Sequence, residues 1–211
     1  MIMVNNSVTF VHIPKNAGTS IKKWFKNNFL ERNINTFSGK EHKTHSNIPE
    51  VLENNNLKKE NLGFTFCIIR NPWDRAVSDY FYLKWRIPNT IHKEKHRFSK
   101  KQQKNNFKLF KLLNKTENFN EFTKEFYKTD YGEMNKFPQL HWSKDCDYTI
   151  KFENLHEGFK KIQQKLNCYS FPSTSNQSNR NNDYRSYYNT ESINIIADFY
   201  KDDIKQYNYK F

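Results

Sequence analysis

Apolar runs along the chain are each followed by a helical pattern. The run at residues 64–69 is apolar without strict alternation, as expected of a strand buried in a parallel sheet. The run at 8–13 is similarly apolar and leads into a short loop. The pattern predicts strands at 8–13, 64–69 and 148–152, and helices at 19–29, 49–54, 72–85, 107–113, 119–128, 155–166 and 191–206.

Strands that alternate with helices predict an α/β fold, with three α/β/α layers around a central, mainly parallel sheet. At 211 residues the chain is long enough to bury one core, so we expect a single domain over 1–211. Residues 84–118 are expected to form a basic, partly irregular insertion. Aromatic side chains at helical spacing are expected in the core, namely Phe119, Phe122, Phe126 and Tyr127.

The loop after the first strand combines a positive charge with small and hydroxyl-bearing residues. Its sequence is Lys15, Asn16, Ala17, Gly18, Thr19, Ser20. A helix start exposes unpaired backbone N–H groups and the positive end of the helix dipole, which favour an anion. Gly18 lets the backbone approach closely, and the two hydroxyls can donate hydrogen bonds. The loop therefore predicts a site for a phosphate-like group; the alternative is that Thr19 or Ser20 merely caps the helix.

This loop differs from the loops that bind nucleoside triphosphates. In those loops the lysine follows the second glycine and directly precedes the hydroxyl residue. Here Lys15 comes three residues before Gly18. ATP and GTP therefore fit the pattern poorly.

A second strand–loop–helix unit follows the run at 64–69. Arg70 leaves the carboxyl end of this strand, where open α/β sheets bind ligands, and Pro72 suits the first turn of a helix. Ser78 lies two helical turns further along, on a face that could bear on the same anion. The sequence thus predicts a second anion site.

Both strand–loop–helix segments resemble segments of sulfotransferases of the carbohydrate-type branch. Residues 13–20 are similar to the family's 5′-phosphosulfate loop, and residues 148–155 and 176–188 resemble two of its later motifs. The following residues match its 3′-phosphate segment: Arg70, Pro72, Trp73, Arg75, Ser78 and Tyr80. The resemblance spans nearly the whole chain, with a poorly matching middle.

The resemblance implies a P-loop-like sulfotransferase fold and an enzyme that uses 3′-phosphoadenosine 5′-phosphosulfate (PAPS). The sulfuryl group would pass to an acceptor hydroxyl, leaving adenosine 3′,5′-bisphosphate (PAP). Lys15 would donate to the leaving-group oxygen, and the groups of residues 16–20 would hold the phosphosulfate. Arg70 and Ser78 would bind the 3′-phosphate, and no metal is needed.

Three further residues carry open alternatives. Arg180 and Arg185 match a C-terminal loop that lies near the cofactor in the family, and the alternative is surface charge. Arg75 could bind phosphate or form a structural ion pair. Trp73 could pack on the adenine or in the core.

A histidine is the natural base for the acceptor, because its unperturbed pKa near 6.5 allows proton uptake at neutral pH. The resemblance assigns this role to His45, with His42 as the alternative because the local alignment could slip. His12 is expected in the interior or behind the site. His92 is expected to be solvated or to contact the acceptor.

Most of the net charge of +13 lies in one segment. Residues 84–115 contain eleven lysines and arginines and one acidic residue, Glu94. Such an excess attracts anionic partners, and the donor is itself anionic. We expect the acceptor to be a glycan, and the positive charge more specifically indicates an acidic or already sulfated glycan. Lipids, peptides and small alcohols are alternative acceptors. The alternative is a solvated insertion without a partner.

The cysteines Cys67, Cys146 and Cys168 are odd in number and lack metal-ligand spacing. They are expected as free thiols in a reducing compartment, with Cys67 a small core residue. The sequence has no apolar leader and no apolar run of about 18 residues. Eukaryotic members of this branch usually carry a membrane anchor, so we expect a cytoplasmic protein of bacterial or viral type without a membrane span.

Other classes of protein fit less well. A nucleotide-dependent phosphotransferase would share the strand–loop–helix arrangement, but the chain lacks its GK[ST] ending and an acidic strand end for Mg²⁺. A basic nucleic-acid-binding protein would use residues 84–115, and we expect no such partner. A catalytically inactive relative is a further alternative.

Overall fold

The computed structural model describes residues 1–39, 45–93, 98–129, 136–173 and 180–211. The chain forms two compact units, each made of two segments. The first unit consists of Met1–Asn71 and Gln139–Gln177, and the second of Pro72–Pro138 and Ser178–Phe211. The single-domain organisation stays a prediction.

The described part of the first unit contains a five-stranded sheet. Its strands are β1 (Ile2–Val4), β2 (Val8–Val11), β3 (Ile34–Thr36), β4 (Phe64–Ile69) and β5 (Tyr148–Lys151). The order across the sheet is β3-β1-β2-β4-β5. Strands β2, β4 and β5 pair in parallel, whereas β1 runs antiparallel to both of its neighbours. Four of these strands therefore point the same way, which confirms the mainly parallel sheet.

One face of the sheet is covered by two helices, α1 (Gly18–Asn28) and α7 (Leu155–Leu166). Trp24 of α1 meets Phe159 of α7 edge to face, with ring centroids 4.9 Å apart. Both rings pack with Phe10 and Phe66 of the central strands in one apolar cluster. Burial of each such side chain contributes about 1.5–3 kcal/mol. The cluster therefore fixes α1, and with it the loop before α1, against the end of β2.

The α/β fold also includes two short helices in the first unit, α2 (Ile48–Asn55) and α6 (Leu140–Ser143). Asn47 caps α2 by accepting a hydrogen bond from the Glu50 N–H at 2.9 Å.

Cys146 follows α6 in the chain, and a hydrogen bond with Cys67 and burial raise the pKa of its thiol. The three cysteines are free, as predicted, and Cys67 is buried.

Helices make up the described part of the second unit. They are α3 (Pro72–Lys93), α4 (Lys100–Lys115), α5 (Phe119–Phe126), α8 (Thr190–Phe199) and α9 (Lys201–Tyr207). Phe119, Phe122 and Phe126 are buried, and Tyr80 of α3 packs against the first two. The predicted core role of these phenylalanines is confirmed. No helix among the described residues combines the length and apolar character needed to cross a bilayer.

Several strands and helices differ from the predicted ones in number or in their first and last residues. Strands β1 and β3 were not predicted, because each has three residues and shows no periodic pattern. Helix α4 begins seven residues before its predicted start, at a capping box in which Ser99 and Gln102 bond each other's backbone N–H groups. The predicted helix 191–206 is two helices, because the backbone leaves helical geometry at Tyr200 (φ −108°, ψ 26°).

Candidate functional site

The loop between β2 and α1 has an unusual backbone. Lys15 (φ 68°) and Ala17 (φ 58°) both adopt the left-handed conformation, which residues with a Cβ rarely do. Such conformations cost free energy and cluster at binding sites. Left-handed residues within a turn direct backbone N–H groups into a concavity that favours anions. The first turn of α1, which the structure describes in full, contains no acidic residue that would oppose an anion.

Asn16 anchors this loop to the end of β4. The residue is 1% exposed, and its Nδ2 donates to the Ile68 carbonyl at 2.8 Å and to Gln139 Oε1 at 2.6 Å. Its Oδ1 is buried and has no hydrogen-bond partner among the described residues. A buried acceptor of this kind is expected to be satisfied by a ligand or by water.

Gln139 completes the anchor. It is fully buried, its Oε1 accepts from the Arg70 backbone N–H at 2.8 Å, and its Nε2 donates to the Arg70 carbonyl at 2.8 Å. One side chain thus binds both backbone groups of Arg70 and the amide of Asn16. Gln139 is not among the predicted site residues, because it lies in the poorly matching middle of the chain and carries no motif of its own.

Arg70 lies beside the loop, as its position at a strand end predicted. Its Nη1 donates to the Lys15 carbonyl at 3.3 Å, and its guanidinium lies 4.3 Å from the centroid of the Phe152 ring. The neighbouring Asn71 N–H donates to Glu153 Oε1 at 2.6 Å. The structure therefore brings Lys15 and Arg70 together at the carboxyl ends of β2 and β4. Phe152 and Glu153 are contacts whose roles the sequence did not reveal.

His12 packs directly on Gly18. A Cβ added at Gly18 would lie 1.7 Å from His12 Nε2, so this position admits only glycine while the ring stays in place. Burial, followed by the charges of His45 and Lys22, lowers the pKa of His12 well below 6.5, which favours the neutral form of the ring. His12 Nδ1 is buried without a hydrogen-bond partner in the described part of the chain. The residue follows β2 and lies behind the loop.

His45 lies next to His12, with ring centroids 4.2 Å apart. Its Nδ1 is 3.0 Å from the His12 carbonyl oxygen. Because a carbonyl can only accept, Nδ1 carries the hydrogen, and the lone pair of neutral His45 is on Nε2. The His45 carbonyl in turn accepts from Trp142 Nε1 at 2.6 Å. His42 and the side chain of His92 lie outside the described residues.

The remaining predicted site residues, Ser78, Arg180 and Arg185, belong to the second unit. Ser78 is half-buried on α3. Arg180 Nη2 pairs with Asp74 Oδ1 at 2.7 Å, with side chains 10% and 13% exposed. Arg180 Nη1 is buried and finds no partner among the described residues. Arg185 is exposed and stacks on Tyr184 at 4.7 Å.

Arg75 and Trp73 contribute to the interior of the second unit. Arg75 is 2% exposed, donates to the Phe137 carbonyl at 3.0 Å and lies 5.7 Å from the Tyr200 ring centroid. Trp73 is buried and donates from Nε1 to the Ile193 carbonyl at 3.1 Å. The contacts of Trp73 are those of a core residue, and the role of Arg75, as phosphate ligand or as partner in an ion pair, stays a prediction.

Comparison with known proteins gives one family. The profile of the sulfotransferase family matches residues 1–210. Neither the curated proteins nor the solved structures gave a match. The match spans all five strands and both loops described above. The chain therefore belongs to the sulfotransferase family, whose reaction is the transfer of a sulfuryl group to an acceptor.

Proposed function

We propose that the chain transfers the sulfuryl group of PAPS to a hydroxyl of a carbohydrate acceptor and releases PAP. The observation that carries this proposal is the left-handed loop at Lys15 and Ala17, held against Arg70 at the end of the neighbouring strand. This arrangement holds the backbone of the loop against the Arg70 guanidinium at the carboxyl ends of β2 and β4. It suits a ligand with several anionic groups.

The residues present fit the donor. The backbone N–H groups of residues 16–20 and the hydroxyls of Thr19 and Ser20 would hold the phosphosulfate. Arg70 would hold the 3′-phosphate, since a guanidinium can bind phosphate with two parallel hydrogen bonds. PAPS would supply the sulfuryl group and a phosphate as leaving group.

Lys15 and His45 would perform the chemistry that falls to the protein. The Lys15 ammonium carries a fixed positive charge, which stabilises the negative charge that develops on the leaving oxygen. His45, with its lone pair on Nε2, would accept the proton of the acceptor hydroxyl. The His12 carbonyl holds the His45 ring in this tautomer.

Residues of the second unit complete the proposal. Ser78 would donate its hydroxyl to the 3′-phosphate. Arg180 supports a binding role through its buried Nη1, which lacks a partner among the described residues while Nη2 is held by Asp74. Arg185 would add a donor from the exposed 3₁₀ helix Tyr184–Tyr187. A cytoplasmic location is part of the same prediction.

Calorimetric titration with PAP tests the proposal, with ATP–Mg²⁺ and AMP as competing ligands. We expect selective binding of PAP, and Arg70→Ala should weaken it by about 1.5–3 kcal/mol, the scale of a hydrogen bond to a charged group. Arg32→Ala removes the same charge from an exposed position and should leave the affinity unchanged. Preference for ATP–Mg²⁺, or equal affinity in the two variants, would contradict the proposal.

A further inference from the structure

Helix α6 contacts both halves of the candidate site. Gln139 is its N-cap residue, and the amide of Gln139 binds Asn16 and the backbone of Arg70. Trp142, inside the helix, donates from Nε1 to the His45 carbonyl at 2.6 Å. Gln139 and Trp142 are three positions apart and so lie within one turn of helix. One short helix therefore joins the loop that precedes α1 to the segment that carries His45.

The indole of Trp142 has a fixed position. The residue is fully buried, and a buried indole N–H usually finds a hydrogen-bond acceptor, which here is the His45 carbonyl. The Trp142 carbonyl accepts from Cys146 Sγ at 3.4 Å, and the indole meets the His141 ring edge to face, with centroids 4.9 Å apart. A ring in a close-packed interior cannot shift without displacing its neighbours. The position of Trp142 Nε1 therefore determines where the His45 carbonyl lies.

His141 binds the same segment two residues beyond His45. The Asn47 Oδ1 accepts the Glu50 N–H, so the Asn47 Nδ2 is the group that donates to His141 Nε2 at 3.1 Å. Residues 45 and 47 are thus both bound by side chains of α6. The three side chains that make these contacts form the α6 clamp: Gln139, His141 and Trp142.

The ring of His45 is held by a different residue. The His12 carbonyl accepts from its Nδ1 at 3.0 Å, which leaves the lone pair on Nε2. This bond orients the ring, whereas the bond from Trp142 fixes the backbone from which the ring projects. A base must lie within about 2.6–3.2 Å of the hydroxyl whose proton it takes. A misplacement of about 1 Å can cost about 100-fold in rate, so both contacts matter for the position of Nε2.

We propose that Trp142 is a positioning residue for sulfuryl transfer, which through the α6 clamp holds His45 at a set distance from the loop before α1. The inference rests on the proposed function, since it takes His45 as the base. Trp142 acts through His45 and does not itself contact the reacting atoms in this role. Because Gln139 of the same clamp binds the loop, the donor and the base keep one geometry.

The test compares two buried tryptophans. Trp142→Phe removes the N–H donor and keeps an aromatic ring. Trp24→Phe is the matched control, because Trp24 is 3% exposed and its Nε1 donates to the Ser170 carbonyl at 3.1 Å and to Ser170 Oγ at 2.8 Å. Urea unfolding of both variants shows whether they lose comparable stability. His141→Leu, at a half-exposed position, is a second variant that releases Asn47 and leaves the interior intact.

The first measurement is the ¹⁵N NMR spectrum of the His45 imidazole in the free protein at about pH 8, assigned with His45→Gln. We expect the wild type and Trp24→Phe to show a protonated Nδ1 and an unprotonated Nε2. Trp142→Phe should show a mixture of the two tautomers, and His141→Leu a smaller change in the same direction. An unchanged tautomer in Trp142→Phe would overturn the inference. If that variant fails to fold, an unchanged tautomer in His141→Leu would do so, as would an equal change in Trp24→Phe.

The second measurement uses water in place of the acceptor. Water attacks the sulfur of PAPS, the bond from sulfur to the phosphate oxygen breaks, and PAP and sulfate leave while His45 takes the proton. At saturating PAPS, Trp142→Phe should lower the rate about tenfold or more with unchanged PAP affinity, and Trp24→Phe should keep the wild-type rate. Added to His45→Ala, Trp142→Phe should cause no further loss, because it acts through that residue. Additive losses would overturn the inference.

These outcomes separate the inference from the proposed function. A wild type that does not bind PAP would refute the donor, and a wild-type rate of hydrolysis in His45→Ala would refute the base. In either case, and where hydrolysis is too slow to measure, the tautomer of His45 in the free protein decides the role of Trp142. An unchanged tautomer in a protein that binds PAP would refute the role of Trp142 alone.

Discussion

Replacing Gln139 with leucine tests how the loop at Lys15 is held. The substitution puts an apolar side chain of similar size in place of the amide and removes every hydrogen bond described for it: two to the backbone of Arg70 and one from Asn16. Asn16 retains its bond to the Ile68 carbonyl. The buried N–H and carbonyl of Arg70 each lose the Gln139 amide as a partner.

The expected loss of stability follows from these three bonds. Each contributes about 1 kcal/mol net, and a buried polar group left without a partner costs about 1–3 kcal/mol. We therefore expect Gln139→Leu to lower the free energy of unfolding by about 3 kcal/mol. In urea this shifts the midpoint down by about 1 M, for a slope of about 3 kcal/mol per molar. PAP affinity should also fall, because the loop loses its anchor.

Gln163→Leu is the matched control, since this nearly buried amide donates to the Tyr169 and Ser170 carbonyls at 2.9 and 2.8 Å. It should destabilise the fold by about 2 kcal/mol and leave PAP affinity unchanged. Gln139→Glu keeps the acceptor for Arg70 N–H and Asn16 and should bind PAP better than Gln139→Leu. A loss below about 1 kcal/mol in Gln139→Leu, or equal PAP affinities in the Gln139 and Gln163 variants, would refute the anchoring role.

Other substitutions probe the same region. Gly18→Ala should lower the free energy of unfolding by about 2 kcal/mol, because the added Cβ would overlap the His12 ring. In a double-mutant cycle measured by urea unfolding, His12→Ala should offset most of that loss. Additive effects of the two substitutions would contradict the packing of His12 on Gly18. The pKa of His12 is lowered in the fold, so the unfolded chain binds more protons below about pH 6.5. The free energy of unfolding should therefore fall with decreasing pH by up to about 1.4 kcal/mol per unit, and His12→Phe should flatten this slope; an unchanged slope would argue against a neutral His12. Lys15→Ala should nearly abolish turnover, and a wild-type rate would remove Lys15 from its proposed role. His45→Ala should reduce turnover while PAP binding persists, and normal activity would pass the role of base to His42.

The sequence predicted the parts of the fold that rest on strong local patterns. Strand β4 and helix α7 have the predicted bounds, because an apolar run and a clear helical period determine them. Strands β1 and β3 depend on pairing with distant partners, which three residues cannot signal. Helix α3 continues to Lys93, eight residues beyond its predicted end at residue 85, and contains Pro88, a residue that usually interrupts a helix.

The candidate site was predictable to a similar degree. Lys15 and Arg70 are neighbours because parallel strands bring their carboxyl ends to one edge of the sheet. The sequence predicts this, since each residue follows an apolar run typical of a parallel strand. Gln139 was not predictable, since an amide that bonds backbone groups of another element has no characteristic spacing. The contact of His12 with Gly18 likewise depends on the path of the chain after β2. The roles of Ser78, Arg180 and Arg185 stay predictions.

The hydrogen bond between Asn16 and Gln139 also has a consequence for the order of folding. It joins residues 123 positions apart in the chain. Contacts of such long sequence separation form late, because the entropy of closing a large loop must be overcome first. During synthesis, β2 and β4 are complete well before Gln139 leaves the ribosome, so the Lys15 loop acquires its anchor after its own strand has paired. In refolding followed by hydrogen exchange, the Arg70 amide, which Gln139 also binds, should become protected later than the amides that pair β2 with β4.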